Sequence, residues 1–418
     1  MIGFVVRPVL DCFYDTFYED YPLTKIMGAV FVAVLLCRLF ATVRTGFRKI
    51  PLAGIWFIWF YMQLFNTCFI VASGDGLTSG MDFLLRGLHG FVGYFMLQTY
   101  FREREQFRRL LIALLIAGIF PLSMSVYQNL LGGAIKTEET VGGVIRNIGL
   151  YHDAFTLRLY AFQTLTAAIL FGATFVKDSR IWCKSVLLLI SILSIITIYK
   201  LFSKAGYVIL TEFAVTWNLL RKNYLTMFAC TLILAVGLVA ASPALFHKVH
   251  TVYSKEVALI KGKGDLEHTF QGRWYLWKPM LAKWAKAPFY RKLVGDGSTT
   301  SFGSHNEFLR TLFSTGALGL LILLVLLSMT FRKIVLRCIS RKSPLDAAAL
   351  MLFLMWFVDA LGLVPGAYTG YQLFVWGFIG LSVGAGEAIY PKACECPDAG
   401  LHYDSLTKPG PVRQTIAI

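Results

Sequence analysis

An all-α polytopic membrane protein is the architecture this sequence predicts, with about eleven to twelve transmembrane helices and one long loop that carries short helices. Three observations predict it. The 418 residues are 56% hydrophobic and only 15% charged, against about 25% charged in soluble domains, and the mean hydropathy is +0.62. Apolar runs of about 20 residues recur, the length that crosses a hydrocarbon core of about 30 Å. The loops between them alternate between rich and poor in Lys and Arg. A β-barrel would instead show short segments of alternating polarity.

Taken in order, the apolar runs predict spans at 25–43, 52–71, 83–100, 110–130, 157–176, 183–200, 205–220, 224–242, 308–330, 345–364 and 371–390. Residues 1–22 add at most a short re-entrant or interfacial helix. They open apolar with no basic stretch ahead, so no cleavable signal peptide is read there. The chain divides into an N-terminal bundle of about eight spans (1–242), a long loop (243–307), C-terminal transmembrane helices (308–390) and a polar tail (391–418) expected to be disordered.

Charge sets the orientation. Arg44, Arg48 and Lys49 follow the first span, Arg102, Arg104, Arg108 and Arg109 the third, and Lys177, Arg180 and Lys184 the fifth. Arg221 and Lys222 follow the seventh, and Arg332, Lys333, Arg337, Arg341 and Lys342 the ninth. The short loops at 72–82 and 365–370 contain neither Lys nor Arg. By the positive-inside rule the rich loops and the tail are cytoplasmic, and 243–307 faces outward. The net charge of +16 is then largely topological and does not call for nucleic acid. The eight cysteines show no metal-ligand or disulfide spacing; Cys37, Cys68, Cys183 and Cys230 read as small packing residues, and Cys394 and Cys396 form a lone Cys-x-Cys in the tail.

The outward loop holds the densest candidate chemistry. Residues 251–260 and 273–285 read as amphipathic helices, the second with Trp274, Trp277, Leu281 and Trp284 at helical spacing. Two readings stand for that aromatic face: a helix lying at the membrane interface, where Trp is common, or a platform for sugar. The loop ends in Gly295-Asp296-Gly297 and then Ser304-His305-Asn306-Glu307-Phe308-Leu309. Ser-x-x-Glu before an apolar run is a capping-box signature, which puts Ser304 at the N-cap and His305 in the first helical turn. There the positive helix end disfavours an imidazolium, leaving a neutral ring able to accept a proton. The bland alternative is a helix start with no chemistry.

Cations lie at the same level. Lys200 and Lys204 sit in an outward turn against the charge trend, suited either to an anionic ligand or to snorkelling toward headgroups. Arg146, His152 and Asp153 precede the fifth span, and Arg158 begins it. Arg273 opens the aromatic helix, placed either to clamp a phosphate or to stack on Trp. Within the spans, Arg38, Arg86, His89, Glu212 and Asp359 are functional candidates by default. Asp359 is close enough to the outer end to orient His305, and Glu212 has the alternative of pairing with a neighbouring Arg. No Walker loop, zinc-protease helix or nucleophile elbow is present. The closest approach to a cation site is Asp265-Leu266-Glu267, so neither metal nor cofactor is expected.

The order of these features resembles the O-antigen ligase/polymerase superfamily of membrane glycosyltransferases. The resemblance is carried by Gly272-Arg273-Trp274-Tyr275-Leu276-Trp277, by Gly297 through Ser304-His305-Asn306-Glu307-Phe308-Leu309, and by Leu312 through the glycines Gly316 and Gly319. Ser203-Lys204-Ala205-Gly206 matches the family's Ser-Arg-Gly/Ala turn, with Lys in place of Arg. The resemblance covers the second half of the chain; the first half has little motif content. It implies a GT-C-like bundle in the bacterial inner membrane, working at its periplasmic face. The implied reaction moves a glycan from undecaprenyl diphosphate to an acceptor hydroxyl by inverting, metal-independent displacement. The acceptor is lipid A-core for a ligase, or a carrier-linked repeat unit for a polymerase. It implies His305 as the base, Arg273 as the diphosphate ligand, and Lys204, Lys200 and Arg146 as further cations. Asn306, Arg310, Asp359 and Trp277 are secondary candidates. Lys cannot make Arg's planar bidentate contact, so the role of Lys204 departs from the family's. The competing readings are a transporter of a lipid-linked glycan using Arg86, Glu212 and Asp359, and a structural envelope protein.

Overall fold

The computed structural model describes residues 2–13, 23–42, 50–72, 74, 76–133, 135–139, 145–176, 181–222, 258, 273–297 and 303–390. These form helices α1 (Ile2–Leu10), α2 (Leu23–Thr42), α3 (Ala53–Ala72), α4 (Leu77–Tyr100) and α5 (Arg104–Asn129), then a hairpin of β1 (Lys136–Glu139) and β2 (Ile145–Gly149). There follow α6 (Ala154–Phe175), α7 (Ile181–Lys200), α8 (Lys204–Leu220), α9 (Arg273–Lys286), α10 (Phe289–Val294), α11 (Glu307–Arg341), α12 (Pro344–Gly362) and α13 (Thr369–Ile389). Among the described residues, α3, α5, α6, α7, α11, α12 and α13 are long and apolar enough to cross a membrane. The protein is an α-helical, multi-pass membrane protein.

Ten of the expected spans fall on helices, α2–α8 and α11–α13. The expected span at 224–242, the amphipathic helix at 251–260 apart from residue 258, the Asp265–Glu267 pair and the tail at 391–418 lie outside the described residues. The expected all-α class holds among the described residues, with one short hairpin added to it. Before α6 the chain forms an antiparallel hairpin with Glu138 opposite Arg146. Gln128 at the end of α5 pins it, donating to Lys136 O (2.7 Å) and accepting from Gly149 N (2.8 Å).

Local signals set the helix starts. Asp153 caps α6 by accepting from Thr156 N, Ser203 caps α8 by accepting from Gly206 N, and Ser343 caps α12 ahead of Pro344 at its first position. α4 is too polar to qualify as a span by composition, and packing explains why. It lies along α13 so closely that a Cβ on Gly93 would stand 2.7 Å from Leu373 O, and one on Gly380 2.2 Å from Tyr94 O. Small residues let two backbones approach inside a membrane bundle. A helix enclosed in this way has no need of a lipid-compatible surface. By contrast α7 exposes Ile181, Trp182, Leu188 and Leu189, the surface that lipid requires.

The bundle has two distinct ends. At one, Arg337 donates to Ser382 O (2.5 Å), Arg341 pairs with Glu387, and Ser382 donates to Asp346 (2.6 Å). The other end gathers the starts of α6, α8, α11 and α13 with the ends of α3, α7 and α12, and it carries His305. α1 packs against α5 near this end. Its Arg7 pairs with Asp11 (2.8 Å) and reaches Thr369, while Tyr160 donates to Asp11 (2.5 Å). The short N-terminal helix is thus tied into the bundle.

Candidate active site

The loop ahead of α11 is built around a break in that helix. Gly316 has φ 70° and ψ −174°, so α11 is two helices joined at a kink. The break frees carbonyls that the loop then uses: Asp296 N donates to Phe313 O (3.1 Å) and Gly297 N to Ser314 O (3.2 Å). The approach is so close that a Cβ on Gly316 would stand 2.3 Å from Leu293 O, and one on Gly295 2.3 Å from Ser314 O. Glycine is required at both positions, for its positive φ and for the missing side chain.

At the start of α11 the expected cap is replaced by another. Asn306, not Ser304, is the N-cap: its Oδ1 accepts from Leu309 N (2.9 Å) and its Nδ2 donates to Leu361 O of α12 (3.1 Å). His305 therefore lies just outside the helix, with φ 48°. Glu307 does not close a capping box. Its carboxylate is taken by the Arg310 guanidinium (Nε 3.0 Å) and by Gly366 N (3.0 Å), partners that outcompete the cap. Ser304 is buried, its hydroxyl donating to Asn306 O (3.0 Å), and its carbonyl accepts from the Trp277 indole (2.6 Å). Trp277 thus anchors the loop. On α9, Arg273, Trp277, Leu281 and Trp284 form the more sheltered face, while Tyr275 and Leu276 are exposed.

His305 itself is exposed, held between buried Ser304 and Asn306. Protein packing on its inner side, and then the positive charge of Arg273, both lower its pKa below the usual 6.5. The ring is neutral at pH 7, as expected, with the helix end as a further contributor.

Arg273 lies against Gly362 at the carbonyl end of α12, where a Cβ would be 2.8 Å from its Nη1. A cation is favoured there by the negative helix end. Burial, then Arg158 and Arg146, pull its pKa down to about 10, so it stays charged at neutral pH. Burial likewise lowers Arg146, opposed by Glu138 and reinforced by Arg158. Arg158 donates to Ser203 Oγ (2.7 Å), pairs with Asp359, and lies 4.9 Å from the centre of the Phe155 ring. Three arginines from β2, α6 and α9 therefore share one field, with Arg158 balanced by Asp359 and Arg273 acting on His305. Such an arrangement costs energy that an anion would recover.

The other candidates sort by their contacts. The 203–206 turn packs on Arg158, with a Gly206 Cβ 3.3 Å from its side chain; Lys204 opens α8 in that turn, and Lys200 ends α7 before it. Asp359 does not orient His305: its oxygens are occupied by Arg158 and by Tyr371 OH (2.9 Å). Arg310 belongs with Glu307 and faces Phe83 of α4. Glu212 bonds Thr216 within its own helix (2.9 Å), and its second oxygen has no partner among the described residues, so the Arg pairing is not formed. Arg86 pairs with Asp82 of the same helix (2.8 Å). Asp153 accepts from Tyr368 OH (2.7 Å). Arg158 was among the outward cations in the sequence, but its pairing with Asp359 was not foreseen. Its signal was an arginine in the first turn of a span, which in lipid demands a partner.

No model of a known protein family matches the chain, and no curated protein does.

Proposed function

We propose that the protein is a membrane glycosyltransferase of the O-antigen ligase/polymerase type, with about eleven to twelve spans and the 243–307 loop at the periplasmic face of a bacterial inner membrane. The observation that carries this reading is the meeting of Arg146 and Arg158 with Arg273, which in turn acts on a neutral His305. A diphosphate leaving group gains charge as its bond to sugar breaks, and cations already in place stabilise that charge. His305 takes the proton of the acceptor hydroxyl; the hydroxyl oxygen bonds to the anomeric carbon from the opposite face, and the electron pair of the breaking C–O bond leaves with the undecaprenyl diphosphate. The arginines do the charge work that a divalent cation does in other sites, so transfer should persist in a chelator. The basic residues of the 243–307 loop favour a lipid A-core acceptor, hence a ligase; a repeat-unit polymerase is the alternative. The orientation follows from the Lys- and Arg-rich loops at the opposite end. Of the residues the transporter reading uses, Asp359 and Arg86 are each committed to a neighbour, while Glu212 keeps one oxygen without a partner among the described residues.

The test uses purified protein in lipid nanodiscs with a carrier-linked glycan donor. His305→Asn and Arg273→Ala should each abolish transfer while the protein remains folded. Full activity in both variants rejects the enzyme reading. In cells, loss of a ligase leaves long unattached chains on the carrier, whereas loss of a polymerase leaves single repeat units.

A further inference from the structure

The outer faces of α9 and α10 are not used by the site described above. Trp277 and Trp284, with Arg273 and Leu281, make the sheltered side of α9. The rest of that helix exposes Tyr275, Leu276, Lys278, Lys283 and Lys286. The chain then breaks at Ala287 and Pro288 and enters α10, which exposes Phe289, Tyr290, Arg291 and Leu293. Phe289 is 79% exposed. Water penalises so much bare aromatic and aliphatic surface on one short segment, and a patch of this kind marks a contact surface.

Two observations say what covers it. The first is depth. α10 ends against the kink in α11, where a Cβ on Gly316 would stand 2.3 Å from Leu293 O. At 1.5 Å per residue, Gly316 lies about 13 Å along α11 from its start. Just beyond it α11 exposes Leu318 and Leu321, on a helix long and apolar enough to span a membrane. α10 therefore lies alongside a spanning helix, not above it, and its exposed rings stand beside lipid. The second observation is charge. From Arg273 to Val294 the sequence contains no Asp or Glu, while Lys278, Lys283, Lys286, Arg291 and Lys292 are all cationic. Apolar side chains interleaved with basic ones are what a helix lying in a lipid interface carries, and basic charge of one sign selects anionic headgroups. The long Lys and Arg stems let the charges reach headgroup level while the rings go deeper. A second copy of the chain docked by this same face would set cation against cation.

We infer that α9 and α10 form a docking element for anionic phospholipid in the leaflet at the His305 end of the bundle. Phe289, Tyr290 and Leu293 enter the acyl boundary, and the five cations bind headgroup phosphates. The same element carries Arg273, and its Trp277 donates to Ser304 O beside His305. Lipid contact on the outer side of α9 thus bears on the position of both groups on the inner side. The docking itself does not rest on the glycosyl-transfer reading.

Photo-crosslinking tests the inference on the full-length protein in nanodiscs of phosphatidylcholine mixed with phosphatidylglycerol. Phe289→p-benzoylphenylalanine and Tyr275→p-benzoylphenylalanine should each give adducts with the mass of a phospholipid. Leu188→p-benzoylphenylalanine, on the exposed side of α7, is the reference for the bulk lipid ratio. Relative to it, phosphatidylglycerol should be enriched about threefold or more in the adducts at 275 and 289, as expected for several basic residues near an anionic surface. Lys283→Gln with Lys286→Gln, Arg291→Gln and Lys292→Gln should return the ratio to that of Leu188→p-benzoylphenylalanine. High salt on the otherwise unchanged chain should do the same, because exposed charges are screened, so the test does not depend on the quadruple variant folding. Adducts only with protein, whether the same chain or another copy, overturn the inference, as does phospholipid labelling with no enrichment, or enrichment that survives both charge removal and salt. Crosslinking needs no turnover. A protein that labels as expected but transfers no glycan in any lipid rejects the transferase reading and leaves the docking element standing.

Discussion

His305 is held at φ 48°, a conformation that costs a non-glycine residue of order 1–3 kcal/mol. The cost is met by its neighbours: Ser304 is fixed by Trp277 and by its own bond to Asn306, and Asn306 is fixed to α12. This gives a clean substitution. Asn tolerates the left-handed region better than most residues but is no base. His305→Asn should therefore leave thermal stability near wild type while lowering kcat by about 10²–10⁴-fold, the span expected for a lost general base. A variant that melts early would point to a structural histidine instead. The pH profile tests the same group. A base must be neutral, and His305 is neutral until pH falls below its lowered pKa, which lies under 6.5. kcat/KM should thus be level through neutral pH and fall only on the acid side of 6.5. Removing a positive neighbour raises a histidine pKa. In Arg273→Gln, the His305 titration followed by NMR should accordingly move to higher pH, and an unmoved titration would show that Arg273 does not act on the ring.

Two elements, α11 and α12, determine where these groups stand. Gly362 ends α12 under the Arg273 guanidinium. Gly362→Ala places a methyl where Nη1 lies, against the flexible end of a side chain, so the fold should survive. Arg273 must move, however, and transfer should fall by at least about tenfold, as small misplacements at a reacting centre do, with the melting temperature within a few degrees of wild type. Gly316→Ala differs, because the new methyl meets the backbone of Leu293 and Gly295. It should destabilise the protein by several kcal/mol, roughly the strain of a forced positive φ plus the lost docking of Asp296 and Gly297. Limited proteolysis between α10 and α11 would report that loss. If Gly316→Ala is as stable as wild type, the kink is not what holds the loop.

Across the whole molecule, the spans were legible because lipid demands long apolar runs, and α2–α8 and α11–α13 fall on them. The hairpin was not, since four- and five-residue strands carry no distinctive period. The α11 cap was misread because Ser304 and Asn306 both qualify locally; the choice is made by Leu361 and Gly366, more than fifty residues away. Residue type and loop position made His305, Arg273 and Arg146 candidates, but the Arg158–Asp359 pair could not be foreseen. Its partners are 201 residues apart, and a single sequence does not record which distant charges meet. That pair joins α6 to α12, and through Tyr371 to α13, with side chains 3% and 2% exposed. Removing one partner should cost about 3–5 kcal/mol by stranding a buried charge, so Asp359→Asn alone loses activity under any reading and decides nothing. The double variant Arg158→Leu with Asp359→Leu is informative. Two apolar side chains of similar size can replace a buried pair with little loss of stability. If the pair serves only to join helices, the double variant should recover both its melting temperature and its transfer activity. If Arg158 also shares the field that receives the diphosphate, stability should return while transfer stays at least about tenfold down and pyrophosphate binds more weakly, as expected when one desolvated cation of three is lost.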